Sequence, residues 1–280
     1  MILFKKAGEI NNYLIQLKQK VIQSGFVPTM GALHAGHLSL IEASKKQNDI
    51  TICSIFVNPT QFNDPMDFEK YPITIENDIY LLEKAGCNIV FLPSAEEIYP
   101  NGIHENFHYD LGYLENILEG KYRPGHFQGV CQVMDHLLKI ISPTNLYLGQ
   151  KDYQQCMVLK KLIEIIGLKT NIIISPTLRE ADGLAMSSRN MRLSPTERKQ
   201  AVSIYEALSL IKNELKPGSL DSLKQKAFDQ LSSKGFKTDY IEIADAVTLI
   251  SIENWDGSTK AVALCAAFLQ EVRLIDNMLL

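Results

Sequence analysis

The 280 residues suffice for one large α/β domain or for two smaller ones. A hydrophobic share of 46% and a charged share of 21% are those of an ordinary globular protein. No apolar run approaches the ~20 residues needed to span a bilayer, and the formal net charge of −4 argues against nonspecific nucleic-acid binding, which needs a basic face. It leaves room for a nucleotide, which a few local cations can hold.

Met1-Ile2-Leu3-Phe4-Lys5-Lys6 places its charges after a very short apolar stretch. A secretory signal has the opposite order and a longer apolar centre, so a cytoplasmic protein is expected. The five cysteines, Cys53, Cys87, Cys131, Cys156 and Cys265, are scattered, odd in number and lack zinc-ligand spacing. They read as buried, reduced thiols acting as small hydrophobes.

In chain order, apolar runs suited to buried strands fall at 25–28, 50–57, 88–92, 145–148 and 171–174. Helical spacing of apolar residues covers 38–46, 75–85, 129–141 and 153–166. Gly86 and Gly167 stand where helix C-caps belong. Strand-helix alternation of this kind predicts a Rossmann-like α/β fold, a parallel sheet with helices on both faces. Ligands of such sheets bind beyond the carboxyl ends of the strands.

After about residue 176 the pattern changes. Ser194-Pro195-Thr196-Glu197 reads as an N-cap, a proline at the first helical position and a capping-box glutamate. One helix to about residue 214 is expected, then a second over 220–232, then three short strands at 239–244, 261–268 and 273–275. The division is therefore 1–176, a Rossmann-like domain, and 177–280, a smaller α+β domain expected to cover the nucleotide site.

Chemistry concentrates in a few segments. After the first of those strands comes Pro28-Thr29-Met30-Gly31-Ala32-Leu33-His34-Ala35-Gly36-His37. Two histidines three apart, at the start of a helix, would project to one side beside unpaired backbone N–H groups and the positive helix end. That is a place for polyphosphate, and imidazole N–H groups can stabilise the charge developing on departing pyrophosphate. Met186-Ser187-Ser188-Arg189-Asn190 offers two hydroxyls and a guanidinium, the chemistry of a phosphate clamp.

Gly149-Gln150-Lys151-Asp152-Tyr153-Gln154-Gln155 runs from a strand end into a helix, with Lys151 as a point charge for phosphate. Gln155, one helical turn on, would face the same side. Val57-Asn58-Pro59-Thr60-Gln61-Phe62 presents Gln61 to the same crevice. Arg123-Pro124-Gly125-His126-Phe127 adds a pair able to face phosphate. Amides such as those of Gln61 and Gln155 bind hydroxyls and carboxylates without burying another charge.

Taken together and in this order, with the closing Arg273-Leu274-Ile275-Asp276-Asn277, these motifs resemble the pantoate–β-alanine ligase family, the pantothenate synthetases, along nearly the whole chain. The wider group of nucleotidyltransferases and class I aminoacyl-tRNA synthetases shares only the histidine signature and a looser second clamp. The resemblance implies the reaction of ATP, pantoate and β-alanine to give pantothenate, AMP and pyrophosphate, with Mg²⁺ and as a homodimer. It implies that Met30, Gly31, Ala32, Leu33, His34, Ala35, Gly36 and His37 hold ATP, with His37 as proton donor. Gly149, Gln150, Lys151, Asp152, Met186, Ser187, Ser188, Arg189 and the backbone at Leu178 would complete the ATP contacts. Gln61 would meet pantoate and then β-alanine, Gln155 pantoate, and Arg123 substrate. Asp78 matches an acidic position linked to Mg²⁺. Where the family often has Tyr-Pro-Arg-Thr this chain has Tyr71-Pro72-Ile73-Thr74, so any role of that arginine is absent.

Three other activities fit parts of the pattern. A nucleotidyltransferase would stop at an adenylylated or cytidylylated product and consume no amine. An RNA-binding module would want a long basic stripe, which the chain lacks. A noncatalytic nucleotide sensor would dispense with the histidines or Lys151, and they are present.

Overall fold

The computed structural model describes residues 1–63, 65–103 and 108–280. They group into two compact units: Met1–Gly149 with Gln154–Pro176, and Gln150–Tyr153 with Thr177–Leu280.

In the first unit, strands β1 (Ile2–Phe4), β2 (Ser24–Thr29), β3 (Ile50–Ile55), β4 (Ile89–Phe91), β5 (Asn145–Gly149) and β6 (Asn171–Ser175) form one sheet of order β1-β4-β3-β2-β5-β6. Every pairing is parallel. Between the strands run α1 (Ala7–Lys18), α2 (Ala35–Gln47), the short α3 (Pro65–Glu69), α4 (Ile75–Ala85), α5 (Ala95–Ile98), α6 (Leu118–Tyr122), α7 (His126–Ile141) and α8 (Tyr153–Ile166), the last of which has its first residue grouped with the second unit. Side chains alternate across a strand, and here the alternation sorts the core into two layers. Phe26, Ile52, Ile89, Phe91, Leu146 and Leu148 pack with residues of α1, α7 and α8. Their neighbours Val27, Cys53, Ile55, Val90 and Tyr147 pack with α2 and α4. With both faces covered, each strand reads as a continuous apolar run, which is why the sheet is legible in the sequence.

Strand order reverses between β2 and β5. The β2–β3 ladder continues to Thr29↔Ile55, whereas the β2–β5 ladder stops at Phe26↔Leu146. The strands therefore part toward their carboxyl ends, which opens the crevice expected at a topological switch point. The segment following β2 is Met30–His37.

The second unit contains α9 (Pro195–Gln200), α10 (Ser203–Glu214) and α11 (Asp221–Ser233). Its main sheet is antiparallel, ordered β11-β10-β8, and a two-stranded ribbon pairs β7 with β9. These strands are β7 (Gly218–Ser219), β8 (Phe236–Asp245), β9 (Asn254–Trp255), β10 (Ala261–Leu269) and β11 (Val272–Leu279). Its core joins Ile204, Leu208 and Ile211 of α10 and Leu231 of α11 to Ile243, Ala263, Cys265 and Leu274 of the sheet.

The structure departs from the sequence-based expectations in several places. Strand β1 and helix α1 add to them, since a three-residue strand carries too little pattern to be read. The single helix expected to about residue 214 is two, although Ala201 and Val202 at the break keep right-handed helical dihedrals. The Ser194–Glu197 capping box is present. The last strand is eight residues long, not three. All five cysteines are free and buried. Burial pushes the Cys87 thiol up to about 11 and that of Cys131 to about 12. Among the described residues no helix is long and apolar enough to cross a membrane.

Candidate functional site

The turn between β2 and α2 departs from the expected geometry in one respect. His34 is not on the helix but caps it, with extended backbone (φ −134°, ψ 174°), and α2 begins at Ala35. The two imidazoles still meet, their ring centroids 4.1 Å apart. The Gly36 N–H donates to Nδ1 of His34 at 3.1 Å, and the His34 N–H donates to Nδ1 of His37 at 3.3 Å. A neutral imidazole has one N–H, so with each Nδ1 accepting, the proton of each ring belongs on Nε2. The sequence His-x-Gly-His thus builds a helix cap from its own side chains and gives two imidazole N–H donors at a helix N-terminus.

Ahead of it, Gly31 (φ +82°) and Ala32 (φ +49°) both take left-handed backbone. Glycine meets this demand freely, and a Cβ on Gly31 would also stand 3.0 Å from Asp78 Oδ2. This turn is held by Asp78, which is fully buried. The Ala32 N–H donates to Oδ2 at 3.0 Å and the Leu33 N–H to Oδ1 at 2.8 Å. The Thr74 hydroxyl adds a 3.1 Å bond to Oδ1. Asp78, which the resemblance links to Mg²⁺, here supports the turn, each of its oxygens accepting from the main chain. Among the described residues no group of three or more His, Cys, Asp or Glu is arranged to hold a metal. A cavity of ≈ 150 Å³ lies against the same turn, lined by Met30, Gly31, Asp78 and apolar residues including Ile55, Val57 and Ile73.

Gln61 belongs to a 3₁₀ turn, Pro59–Gln61, after β3. Its amide N–H₂ approaches the Met30 sulfur at 3.1 Å, and its Oε1 accepts from Asn58 at 3.1 Å. Asn58, named in the sequence only as a neighbour of Gln61, is 1% exposed and central. It donates to the Gly129 carbonyl and accepts from the Tyr99 hydroxyl at 2.6 Å. Gly129 permits this approach, since a Cβ there would overlap the Thr60 carbonyl.

Arg123, expected to face substrate, also braces the turn that carries Gln61. It pairs with Glu119 at 3.6 Å, donates to His126 Nε2 at 3.1 Å and reaches the Gln61 carbonyl at 3.5 Å. With Nε2 accepting, His126 donates from Nδ1 to that same carbonyl at 2.8 Å. Of the adjacent glutamines on α8, Gln154 is a buried fastener, accepting from the Glu119 N–H and donating to the Leu114 and Ile117 carbonyls. Gln155 is half-buried. The helical-turn relation drawn between Lys151 and Gln155 does not hold as stated, because Gln150–Asp152 is a 3₁₀ turn and α8 starts only at Tyr153.

In the second unit, Lys151 is largely enclosed (16% exposed) and 3.8 Å from Asp152. It lines a cavity of ≈ 20 Å³ with Ser187, Arg189, Arg273 and Asp276. Ser187 caps the 3₁₀ turn Ser188–Arg192 by accepting from the Arg189 N–H at 3.3 Å. Leu178 and Met186 are joined by the Met186 N–H to the Leu178 carbonyl at 3.0 Å, with an antiparallel bridge between Arg179 and Ala185. Gly149, which ends β5, falls in the first unit, whereas Gln150, Lys151 and Asp152 group with the second. Asp276 is bound by Arg179 through two hydrogen bonds of 2.6 and 3.0 Å. Burial pushes its carboxyl above the ordinary value, and the guanidinium works in the opposite direction.

Known proteins match this chain along its whole length. A pantoate–β-alanine ligase family model matches residues 2–279. A pantothenate synthetase of Cytophaga hutchinsonii is 44% identical over 100% of this chain and 99% of its own. One from Thermotoga petrophila is 41% identical over 100% of both. A crystal structure of pantothenate synthetase from Thermus thermophilus superposes with a TM-score of 0.91 at 37% identity, covering 99% of each chain. That of a pantoate–β-alanine ligase from Francisella tularensis, complexed with β,γ-ATP and β-alanine, gives 0.84 at 40%, covering 100% of this chain and 97% of its own. The chain belongs to the pantoate–β-alanine ligase family.

Proposed function

We propose that the chain joins pantoate to β-alanine at the expense of ATP, releasing AMP and pyrophosphate through a pantoyl adenylate. The observation that carries this is the interlocked pair His34 and His37, whose Nδ1 atoms are both occupied by main-chain N–H groups. Their Nε2–H groups are donors matched to a polyphosphate at a helix N-terminus.

The chemistry follows from charge. A pantoate carboxylate oxygen, already ionised, attacks the α-phosphorus, and the bond from that phosphorus to the bridging oxygen breaks as pyrophosphate leaves. No base is needed; the leaving group needs donors. The family resemblance gives that task to His34 and His37 of the first unit and to Lys151, Ser188 and Arg189 of the second, with His37 protonating or hydrogen-bonding the departing oxygen. The β-alanine nitrogen then attacks the acyl carbon, the acyl–oxygen bond to AMP breaks, and the ammonium proton is lost to solvent. Gln61 serves pantoate and then β-alanine, and Gln155 serves pantoate. Met30 through His37, Gly149 through Asp152, Leu178 and Met186 through Arg189 serve ATP.

Mg²⁺ enters with ATP as part of the substrate, since it keeps phosphate oxygens and water as ligands in preference to an all-protein cage. Family resemblance supports a homodimer and a cytoplasmic setting. The test is a product assay. AMP, pyrophosphate and pantothenate should form in equal amounts with all three substrates present, and replacing pantoate by an unrelated acid should abolish all three. AMP formation that continues without pantoate would contradict the assignment.

A further inference from the structure

The closing motif Arg273-Leu274-Ile275-Asp276-Asn277 has no part in the chemistry described so far, yet its last two residues are among the most enclosed polar groups of the second unit. Asn277 is 1% exposed and Asp276 5%. Arg179 fixes this stretch of β11 by its two bonds to Asp276 and a third, of 3.1 Å, to the Asn277 carbonyl. The Asn277 N–H is itself held by Asp276 Oδ1 at 2.8 Å.

On that base the Asn277 side chain reaches the 3₁₀ turn that carries Lys151. Its Nδ2 donates to two successive carbonyls, Gln150 at 2.9 Å and Lys151 at 2.8 Å, while its Oδ1 accepts from Gln150 Nε2 at 3.1 Å. Both amide hydrogens and the amide oxygen are used. Only a primary amide offers two donors and an acceptor on one short side chain. Successive carbonyls drawn to one nitrogen fix the turn at the Lys151 Cα, and the lysine side chain lines the cavity it shares with Ser187 and Arg189.

We infer that Asn277 is a positioning residue for Lys151, setting the ammonium group relative to the Ser187–Arg189 clamp; this rests on the assignment of Lys151 to ATP phosphate. The amide does not touch substrate. It acts through the main chain of residues 150 and 151, so its loss costs precision of placement more than fold.

The experiment is a double-mutant cycle between Asn277 and Lys151, read by pantoate-dependent pyrophosphate–ATP exchange and by the KM for ATP and for β-alanine. Asn277→Asp keeps the shape and the acceptor but sets an oxygen against two carbonyls. Asn277→Ser keeps one donor. A misplacement of about 1 Å can cost on the order of 100-fold. On that scale Asn277→Asp should lower exchange at limiting ATP by about ten- to a hundredfold, with Asn277→Ser between it and the native protein. The KM for β-alanine should hold within about twofold. In a Lys151→Ala background the same substitutions should add less than about twofold, because the group they position is gone. Independent, fully multiplying losses would overturn the inference, as would normal exchange by either variant while Lys151→Ala is impaired. Normal exchange by Lys151→Ala would overturn the phosphate role of Lys151 itself, and this inference with it. Should Asn277→Asp fail to fold, the Asn277→Ser arm of the cycle carries the same comparison.

Discussion

The Asp78 carboxylate and the Leu33 N–H, 45 residues apart in sequence, are joined by a 2.8 Å hydrogen bond in a place with no access to solvent. With the bond to Ala32 it fixes a left-handed stretch of chain just ahead of the two histidines.

Replacing Asp78 by Ala strands those two buried N–H groups. Each costs about 1–3 kcal/mol when left without an acceptor, so thermal stability should fall clearly, and the KM for ATP should rise because the turn loses its anchor. Calorimetry with steady-state kinetics checks both. A Mg²⁺ ligand in this position would add a second signature, a partial recovery of turnover in excess Mg²⁺.

The histidine cap separates two roles in one side chain. His34→Ala removes an N-cap worth about 1 kcal/mol and, on the proposed function, a donor worth about 3 kcal/mol in the transition state. His34→Asn keeps capping ability and loses the Nε2–H. The Ala variant should therefore melt below the Asn variant, which stays near wild type, while both lose roughly two powers of ten or more in kcat. Equal activity of His34→Asn and the native enzyme would move the donor elsewhere.

Gly129→Ala drives a methyl group into the Thr60 carbonyl and so displaces the turn carrying Gln61. The KM values for pantoate and β-alanine should both rise, as with Gln61→Ala, while the KM for ATP changes little. Gln155→Ala should weaken pantoate alone. Substrate-by-substrate kinetics distinguishes these patterns. Selective loss of ATP affinity in Gln155→Ala would reverse its assignment.

What the sequence reveals depends on how local the cause is. Parallel strands buried on both faces announce themselves as apolar runs, and His34 and His37 sit in one short motif, so the sheet and the histidine turn are legible. Asp78 is not: a carboxylate in the first turn of an amphipathic helix looks solvated until the fold brings Ala32 and Leu33 to it. The partners of Arg123 are hidden in the same way, since Glu119, His126 and Gln61 are brought to it by tertiary structure. For Asn58 the available signal is its place directly after a buried strand. The polar pair Asp276 and Asn277 shortens the expected last strand because its partners, Arg179 and the turn at Gln150–Lys151, are distant in sequence, the turn by more than a hundred residues.

Acid should act on the second unit through its Asx turns. Asp245 is held below the ordinary aspartate value by the Thr248 and Val247 N–H groups, and Asp256 by those of Thr259 and Ser258. A carboxyl lowered in the folded state contributes stability above its unfolded value of 3.8 and loses it as pH falls through the folded value. Unfolding followed from about pH 6 downward should show stability declining once pH drops below about 4. Asp256→Asn, which still accepts hydrogen bonds but does not titrate, should make that decline shallower. An unchanged slope would show that these turns do not govern the acid limb.

The order of events is tested most directly by isotope exchange. If pantoate is adenylated before the amine enters, labelled pyrophosphate should pass into ATP with pantoate present and β-alanine absent, because donors arranged around departing pyrophosphate serve the return as well. Exchange should require Mg²⁺ and vanish without pantoate. A concerted three-substrate reaction would show no exchange until β-alanine is added, and an enzyme for some other acceptor would show none with pantoate at all; either result would contradict the account.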